Sequence, residues 1–306
     1  MSEPTDRAIG CFLGLACGDA VGTTVEFRPR GSFEPLTDMV GGGPFGLEPG
    51  QWTDDTSMAL CLAESLLETG CFDPVDQLRR YVRWFREGHL SATGECFDIG
   101  NTVRTALQRF EETGRPDSGP TDPGMAGNGS IMRLAPVVLF ADPDREAVDR
   151  LCAESSRTTH GADEAVAACR MFGAVLHHLL RGAPRDEALA SIEPRDWMSP
   201  ALQSVARGEW RAKGEAAIRG SGYVVESLEA AFWCFDRARS FEEAVLLAAN
   251  LGDDSDTTAA VVGQLAGAHF GQRGIPERWR SRVHRADRFA DWSSRLIQLP
   301  AAEPTR

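Results

Sequence analysis

The 306-residue sequence predicts an all-α fold, and three observations carry that prediction. Apolar residues recur at helical spacing through most of the chain; alternating runs that would make half-buried strands are almost absent; and Gly/Pro-rich stretches fall between the periodic segments as stops. There is no fixed-period repeat, no low-complexity tract and no linker long enough to split the chain. The expectation is one domain over residues 1–306, an orthogonal multi-helix bundle of about ten or more helices with Gly/Pro-rich loops gathered around a central cleft.

Residues 7–22 carry Gly10, Gly14, Gly18 and Gly22 at intervals of four, which on a helix makes one flat stripe where a second helix can approach closely. This is expected to be a buried first helix ending near Gly18-Asp19-Ala20-Val21-Gly22, with Glu26 in the exit turn. Arg28 to Gln51 is rich in Gly and Pro and lacks apolar periodicity, and a loop of that length is expected to be a lid or a binding loop. Thr56 to Leu67 predicts an amphipathic helix stopped by Gly70. Asp73-Pro74 starts the next, with Asp as N-cap, Pro at the first helical position, and Leu78, Val82 and Phe85 on its apolar face. Asn101 to Phe110 follows the polar turn Phe97-Asp98-Ile99-Gly100 and stops at Gly114. A second Pro/Gly-rich stretch from Arg115 ends in Gly127-Asn128-Gly129-Ser130-Ile131-Met132-Arg133, another candidate binding loop. Helices are then expected at roughly 145–155, 163–181, 186–191, 224–236, 241–250 and 257–270.

The bulk numbers exclude some classes of function. A hydrophobic fraction of 42% suffices for a sizeable core, and 45 acidic against 32 basic residues give a formal charge of -13, which repels nucleic-acid backbones and anionic membranes. The opening Met1-Ser2-Glu3-Pro4-Thr5-Asp6 lacks the basic start of a signal peptide, and the apolar run Ala8 to Val21 is expected to be too short and too Gly-rich to span a bilayer. The eight cysteines (Cys11, Cys17, Cys61, Cys71, Cys96, Cys152, Cys169, Cys234) sit mostly in apolar helical patterns with no C-x-x-C pair, the pattern of core thiols in a reducing compartment. A soluble cytoplasmic protein is expected.

Two acidic clusters carry the chemistry. Gly252-Asp253-Asp254-Ser255-Asp256-Thr257-Thr258 leads into an Ala/Val run, and Trp52-Thr53-Asp54-Asp55-Thr56-Ser57-Met58 echoes it about two hundred residues earlier. Either cluster alone is explained by N-capping and by the helix dipole's preference for acid in a first turn. Five aspartates and several threonines are more than two caps require, however, and carboxylates, hydroxyls and water without His or Cys are the ligand set of hard cations. If the clusters meet, they can hold a metal pair about 3.5 to 4 Å apart that activates water and clamps substrate oxygens. Other candidates are weaker. Taken singly, Glu26 is a loop acid, Asp98 a turn acid, Asn101 an N-cap and His160 a cap or polar contact. Asn128-Gly129-Ser130 has the backbone donors of a phosphate loop. His177 and His178, and Trp233 and Phe235, are expected to serve packing or surface roles. Gly41-Gly42-Gly43 is neither a P-loop nor a dinucleotide fingerprint.

In order along the chain, Gly14-Leu15-Ala16-Cys17-Gly18-Asp19-Ala20 with Glu26, Trp52-Thr53-Asp54-Asp55-Thr56, Asp98-Ile99-Gly100-Asn101-Thr102, Gly127-Asn128-Gly129-Ser130-Ile131-Met132-Arg133, Gly222-Tyr223-Val224 and Gly252-Asp253-Asp254-Ser255-Asp256-Thr257 resemble the ADP-ribosylglycohydrolase family, from the N-terminus to about Gly271. That family includes dinitrogenase reductase-activating glycohydrolase and the ADP-ribosylarginine and ADP-ribosylserine hydrolases. The resemblance implies an all-α fold around two Mg2+ or Mn2+ ions, with Thr53, Asp54 and Asp55 as ligands from one side and Asp254, Asp256 and Thr257 from the other. It implies catalytic roles for Glu26 and Asp98, and substrate contacts from Asn101, Asn128, Gly129, Ser130, Met132, His160 and Tyr223. Asp253 stands where many relatives carry Gly, so it is expected to be a neighbour of the site and not a ligand.

The resulting expectation is a metal-dependent hydrolase that removes ADP-ribose from a modified protein side chain, arginine first, at the anomeric carbon of the distal ribose. Its partners would be an ADP-ribosylated protein and ADP-ribose as product, with no nucleic acid and no membrane. Two alternatives stand beside it: an all-α metal-dependent nucleotide pyrophosphatase, which would release AMP, and a non-catalytic ADP-ribose-binding protein.

Overall fold

The computed structural model describes residues 3–299. Among them are fourteen α-helices and no strand. The all-α expectation is borne out.

Helix α1 (Glu3–Gly22) lies antiparallel against α12 (Ser255–Gly274), and this pair is the axis of the molecule. The glycine stripe is the cause. A Cβ at Gly10, Gly14, Gly18 or Gly22 would overlap the carbonyl oxygen of Gly267, Gly263, Ala259 or Ser255 respectively, so the two backbones touch without side chains between them. Ser255 Oγ donates to Gly22 O (2.8 Å) and locks the end of α1 to the start of α12. Helix α1 with its following turn, Glu3–Val25, is long and apolar enough by length and composition to cross a membrane, which corrects the expectation that the run was too short; 94% of its apolar window is nevertheless buried inside the protein.

Around this axis pack α2 (Asp54–Thr69), α3 (Pro74–Glu87), α4 (Asn101–Thr113), α5 (Ala135–Ala141), α6 (Arg145–Arg157), α7 (Asp163–Leu180), α8 (Arg185–Ala190) and α9 (Pro200–Ala206). The set is completed by α10 (Val224–Arg237), α11 (Phe241–Ala249), α13 (Glu277–Arg280) and α14 (Ala286–Leu296). One hydrophobic cluster runs from Ala8 to Leu296 and includes the fully buried Trp52, Trp84, Trp210 and Trp279. The predicted stops hold: Gly70 and Gly114 close α2 and α4 in the left-handed conformation, and Gly88, not singled out from the sequence, closes α3 in the same way. Helices α5, α9, α13 and α14 are additions to the predicted set. Helix α5 is buried on every side, so it shows no apolar period, and α14 starts at a left-handed Arg285 with no capping side chain to announce it.

The long Arg28–Gln51 segment is a strap, not a lid. Arg30 donates to the carbonyls of Leu251 (3.2 Å), Glu215 (2.6 Å) and Ile218 (2.5 Å), Asn250 pairs both backbone groups of Leu36, and Arg282 holds Met39 O (2.8 Å). None of its residues lines the cleft described next; only Glu26 and Phe27, at its head, do.

Candidate active site

The antiparallel α1–α12 pair brings the start of α12 to the end of α1, and α2 starts beside both. The two acidic clusters therefore meet. Thr53 Oγ1 lies 3.2 Å from Asp256 Oδ2, and Thr257 Oγ1 donates to Asp55 Oδ1 at 3.2 Å, a reciprocal contact across about two hundred residues of sequence. Thr53, Asp55, Asp256 and Thr257 are buried, and Asp54 is only 6% exposed.

Capping does not account for these residues. Asp73 caps α3 and Asp144 caps α6 with their own carboxylates, but Thr53 and Asp254, at the N-cap positions of α2 and α12, make no side-chain cap bond. Helix α2 is capped instead from α1. Asp19 Oδ1 accepts from Thr53 N (2.9 Å) and Thr53 Oγ1 (3.0 Å), and its Oδ2 accepts from Thr56 N (3.0 Å) and Thr56 Oγ1 (2.6 Å). Sequence reading missed this role. Its signal was an acid inside the otherwise apolar, Gly-striped helix.

With α2 capped from α1 and α12 left without a side-chain cap, the cluster carboxylates face one another. Asp54, Asp55 and Asp256 are all pushed well above the usual carboxylate range, first by burial and then by each other's charge and that of their acidic neighbours. Asp55 Oδ2 and Asp256 Oδ1 are buried without a hydrogen-bond partner. Oxygen atoms of Asp54, Asp55 and Asp256 lie within 4.8 Å of one another, as do those of Glu26, Asp98 and Asp256, so Asp256 belongs to two groups able to hold a cation. Oxygen-only donors, orphaned acceptors and uncompensated charge fit a hard divalent metal. Asp254 Oδ2 accepts from Asn128 Nδ2 (2.7 Å), which aims the carboxylate into the same space.

Above this floor opens a cleft of about 270 Å3, lined by the acids Glu26, Asp54, Asp98, Asp254 and Asp256 with Phe27 and Thr257, and by Asn101, Asn128, Gly129, Met132 and His160. Of the five non-glycine residues with left-handed backbone, three flank it: Phe27 (φ 62), Asp98 (φ 59) and Asp253 (φ 57). Strain of this kind is held in place by its surroundings. Phe27 N donates to Asp253 O (2.7 Å) and Asp253 N to Arg28 O (2.9 Å), which ties the Glu26 turn to the acidic turn before α12. Asp253 is itself exposed and acts through its backbone.

Glu26, 3% exposed, has its carboxyl pushed up to about 10 by burial and then by the charges of Asp98, Asp254 and Asp19. Asp98 is pushed up to about 7, by burial and by Asp254 and Asp19. His160 is driven down to about 3 by burial and by the Arg133 guanidinium, and so is neutral.

Two expected substrate contacts are placed differently. The Ser130 side chain turns inward, where Ser156 Oγ (3.0 Å) and Cys169 Sγ (3.3 Å) donate to it, because the loop's turn leads straight into the buried Ile131 and Met132. Tyr223 stands 38% exposed outside the lining, its hydroxyl donating to Glu164 (2.6 Å), while its backbone bridges Gly127 and its neighbour Gly222 lines the cleft. Phe27, Arg133 and Thr159 were not singled out by sequence as site residues.

Comparison with known proteins bears on this site directly. The family model described as ADP-ribosylglycohydrolase matches residues 1–305. The chain is 49% identical over 301 residues to an ADP-ribosylarginine hydrolase of Pseudomonas putida, covering 97% of this chain and 77% of that protein. It is 44% identical to an ADP-ribosylarginine hydrolase of Serratia proteamaculans, covering 99% and 82%. With the ADP-ribosyl-dinitrogen reductase glycohydrolase of Rhodospirillum rubrum the identity is 33%, covering 91% and 90%. A solved structure titled ADP-ribosylglycohydrolase-related protein complex superposes with a TM-score of 0.88 at 44% identity, over 98% of this chain and 99% of that one.

Proposed function

Because the chain belongs to the ADP-ribosylglycohydrolase family, we propose that its cleft hydrolyses the bond between ADP-ribose and a protein arginine, releasing ADP-ribose. The observation that carries this reading is the meeting of two Asp/Thr clusters whose carboxylates cap nothing and retain orphaned oxygens at the base of a cleft. Thr53, Asp54 and Asp55 with Asp254, Asp256 and Thr257 would hold two Mg2+ or Mn2+ ions. Bound there, such ions supply Lewis-acid polarisation of ribose hydroxyls and water.

The protein's own residues divide the proton work. Glu26 and Asp98 are the two cleft carboxyls outside the proposed ligand set, and burial and neighbouring acids raise both, which suits groups that exchange protons. Glu26, the more strongly raised and more deeply buried of the two, is assigned the donor role, and Asp98 the acceptor role. In the reaction the anomeric C–N bond breaks and a water oxygen bonds to the anomeric carbon. Asp98 takes a proton from that water, and the departing guanidine nitrogen receives the proton of Glu26. The Phe27 ring, 64% exposed beside Glu26, edges onto Phe45 (centroids 6.3 Å apart), which in turn packs on Phe97 (5.1 Å). An aromatic face next to acids suits a guanidinium, and this favours arginine over serine as the leaving side chain.

The same reading takes residues 1–306 as one domain and an ADP-ribosylated protein as partner. It places the enzyme in the cytoplasm, where its eight cysteines remain the free thiols of the structure. The test is turnover of ADP-ribosylarginine peptide with Mg2+ or Mn2+ and analysis of the product. Release of intact ADP-ribose is expected. AMP would make it a pyrophosphatase, and no product from tightly bound ligand would make it a binding protein.

A further inference from the structure

No Arg or Lys lines the cleft, although its ligand under the reading above carries a diphosphate. One fixed positive charge lies hidden against a lining residue, bonded to the Gly129 carbonyl. Arg133 is fully buried beneath the Gly127–Met132 loop, and among the described residues no carboxylate stands within ion-pair distance of it. Its guanidinium lies against the Tyr81 ring (4.9 Å) and donates to Gly129 O (2.5 Å), Ser155 O (3.4 Å) and Thr159 Oγ1 (2.6 Å), while its Nε has no partner. A buried cation without a counter-ion is costly, so an anion that arrives nearby is strongly favoured.

The Thr159 contact does more than hold the arginine. Thr159 Oγ1 also lies 2.9 Å from His160 Nδ1, and Thr159 is fully buried. A guanidinium can only donate, so the hydroxyl accepts from Arg133 and has one proton left to place. If Nδ1 carried a proton as well, the hydroxyl proton would be buried with nothing to bond. The arrangement that satisfies every atom has the hydroxyl donating to Nδ1, which leaves the imidazole proton on Nε2. That nitrogen lies against the loop glycines: a Cβ on Gly129 would stand 3.0 Å from it, one on Gly127 3.4 Å, and the ring lines the cleft.

We infer that Arg133 and the Thr159 hydroxyl act as positioning residues: they fix His160 as an Nε2–H donor toward the diphosphate of the bound ligand. This rests on the ADP-ribose reading of the site. Burial and the Arg133 charge both keep the ring neutral, so the donor persists across the physiological range.

The test uses Mg2+-loaded protein with 15N-labelled histidine. In the wild type His160 shows an unprotonated Nδ1 and a protonated Nε2, and ADP-ribose shifts the Nε2 signal whereas adenosine does not. Thr159→Val removes the hydroxyl at constant shape. It is expected to redistribute the proton between the two nitrogens and to weaken ADP-ribose binding about tenfold, the scale of one charge-assisted hydrogen bond, with adenosine affinity unchanged and Thr159→Ser restoring both readouts. Arg133→Met should weaken ADP-ribose at least as much; if it fails to fold, the threonine pair decides alone. Wild-type signals unmoved by ADP-ribose, or Thr159→Val with wild-type affinity and proton placement, overturn the inference. So does equal weakening for adenosine, which marks a merely structural role. Normal binding and relay behaviour without turnover would overturn the proposed hydrolase while leaving the relay standing.

Discussion

Replacing Asp19 with Asn tests whether one carboxylate on α1 holds the acidic turn at the start of α2. In the native protein its two oxygens accept four hydrogen bonds, two from Thr53 and two from Thr56. An amide can present oxygen to only one of these residues and turns an NH2 group toward the other. The hydroxyl on that side adapts by accepting, and Thr53 has a second acceptor in Asp256 Oδ2. The backbone N–H on that side cannot adapt. Leaving it buried and unpaired costs about 1–3 kcal/mol, and replacing charged by neutral acceptance for the retained pair adds roughly 1 kcal/mol. Relief of the repulsion between the Asp19 charge and Glu26 and Asp98 offsets part of this, so the expected loss is about 1–3 kcal/mol, read as a lower Tm and denaturation midpoint. Because the strained end is the N-terminus of α2, affinity for Mn2+ measured calorimetrically should fall with it. Asp19 touches neither the cleft lining nor its orphaned oxygens. Asp19→Asn protein with wild-type Tm and wild-type Mn2+ affinity would therefore refute the capping argument outright.

Three further outcomes follow from the same geometry. Glu26 and Asp98 are raised in the folded protein relative to ordinary carboxyls, so their contribution to stability is present below about pH 4 and is lost as pH climbs through about 7 toward 10. Metal-free protein should melt at lower temperature at pH 8.5 than at about 5.5, and Mg2+ or Mn2+ should raise Tm more at the higher pH; a metal-induced gain independent of pH would contradict the clustered-carboxylate picture. Gly18→Ala puts a methyl into Ala259 O and should cost about 1–3 kcal/mol in a melt, with an unchanged Tm showing that α1 and α12 are not in backbone contact. Phe27→Ala should raise KM for ADP-ribosylarginine about two- to fivefold with little change in kcat, leaving a serine-linked substrate unaffected. Equal effects on both substrates would remove Phe27 from side-chain selection.

The sequence made the helical axis and the meeting of the acidic clusters legible for one reason: each is written as an unusual local repetition. Four glycines at a spacing of four have no cheap purpose other than a close helix contact, and doubled Asp/Thr clusters exceed what a helix start can use. Both inferences needed only local spacing and donor chemistry. What stayed hidden depends on where side chains turn after folding. Ser130 looked like a ligand contact because small polar residues in a Gly loop usually are, yet its hydroxyl is drawn inward by Ser156 and Cys169, which approach from α6 and α7. The strap at Arg28–Gln51 resembled a lid because its composition is that of a mobile loop, while the groups that hold it, Arg30, Asn250 and Arg282, include two that lie more than two hundred residues away.

Asp19 is the instructive case between these. Its position on the glycine-striped helix was visible, and an acid there had to be satisfied somehow, but only the antiparallel α1–α12 packing decides that the partner is the start of α2. The stripe, the cap and the acidic floor are thus linked in one chain of causes. Gly18 and Gly22 bring α12 up to α1, Asp19 between them seizes α2, and Asp256 arrives opposite Thr53 because both helices are pinned to the same two turns of α1. A substitution that separates α1 from α12 should therefore disturb cation binding before it unfolds the core, since it leaves the starts of α2 and α12 joined by the Thr53–Asp256 and Thr257–Asp55 contacts without the backbone packing that positions them.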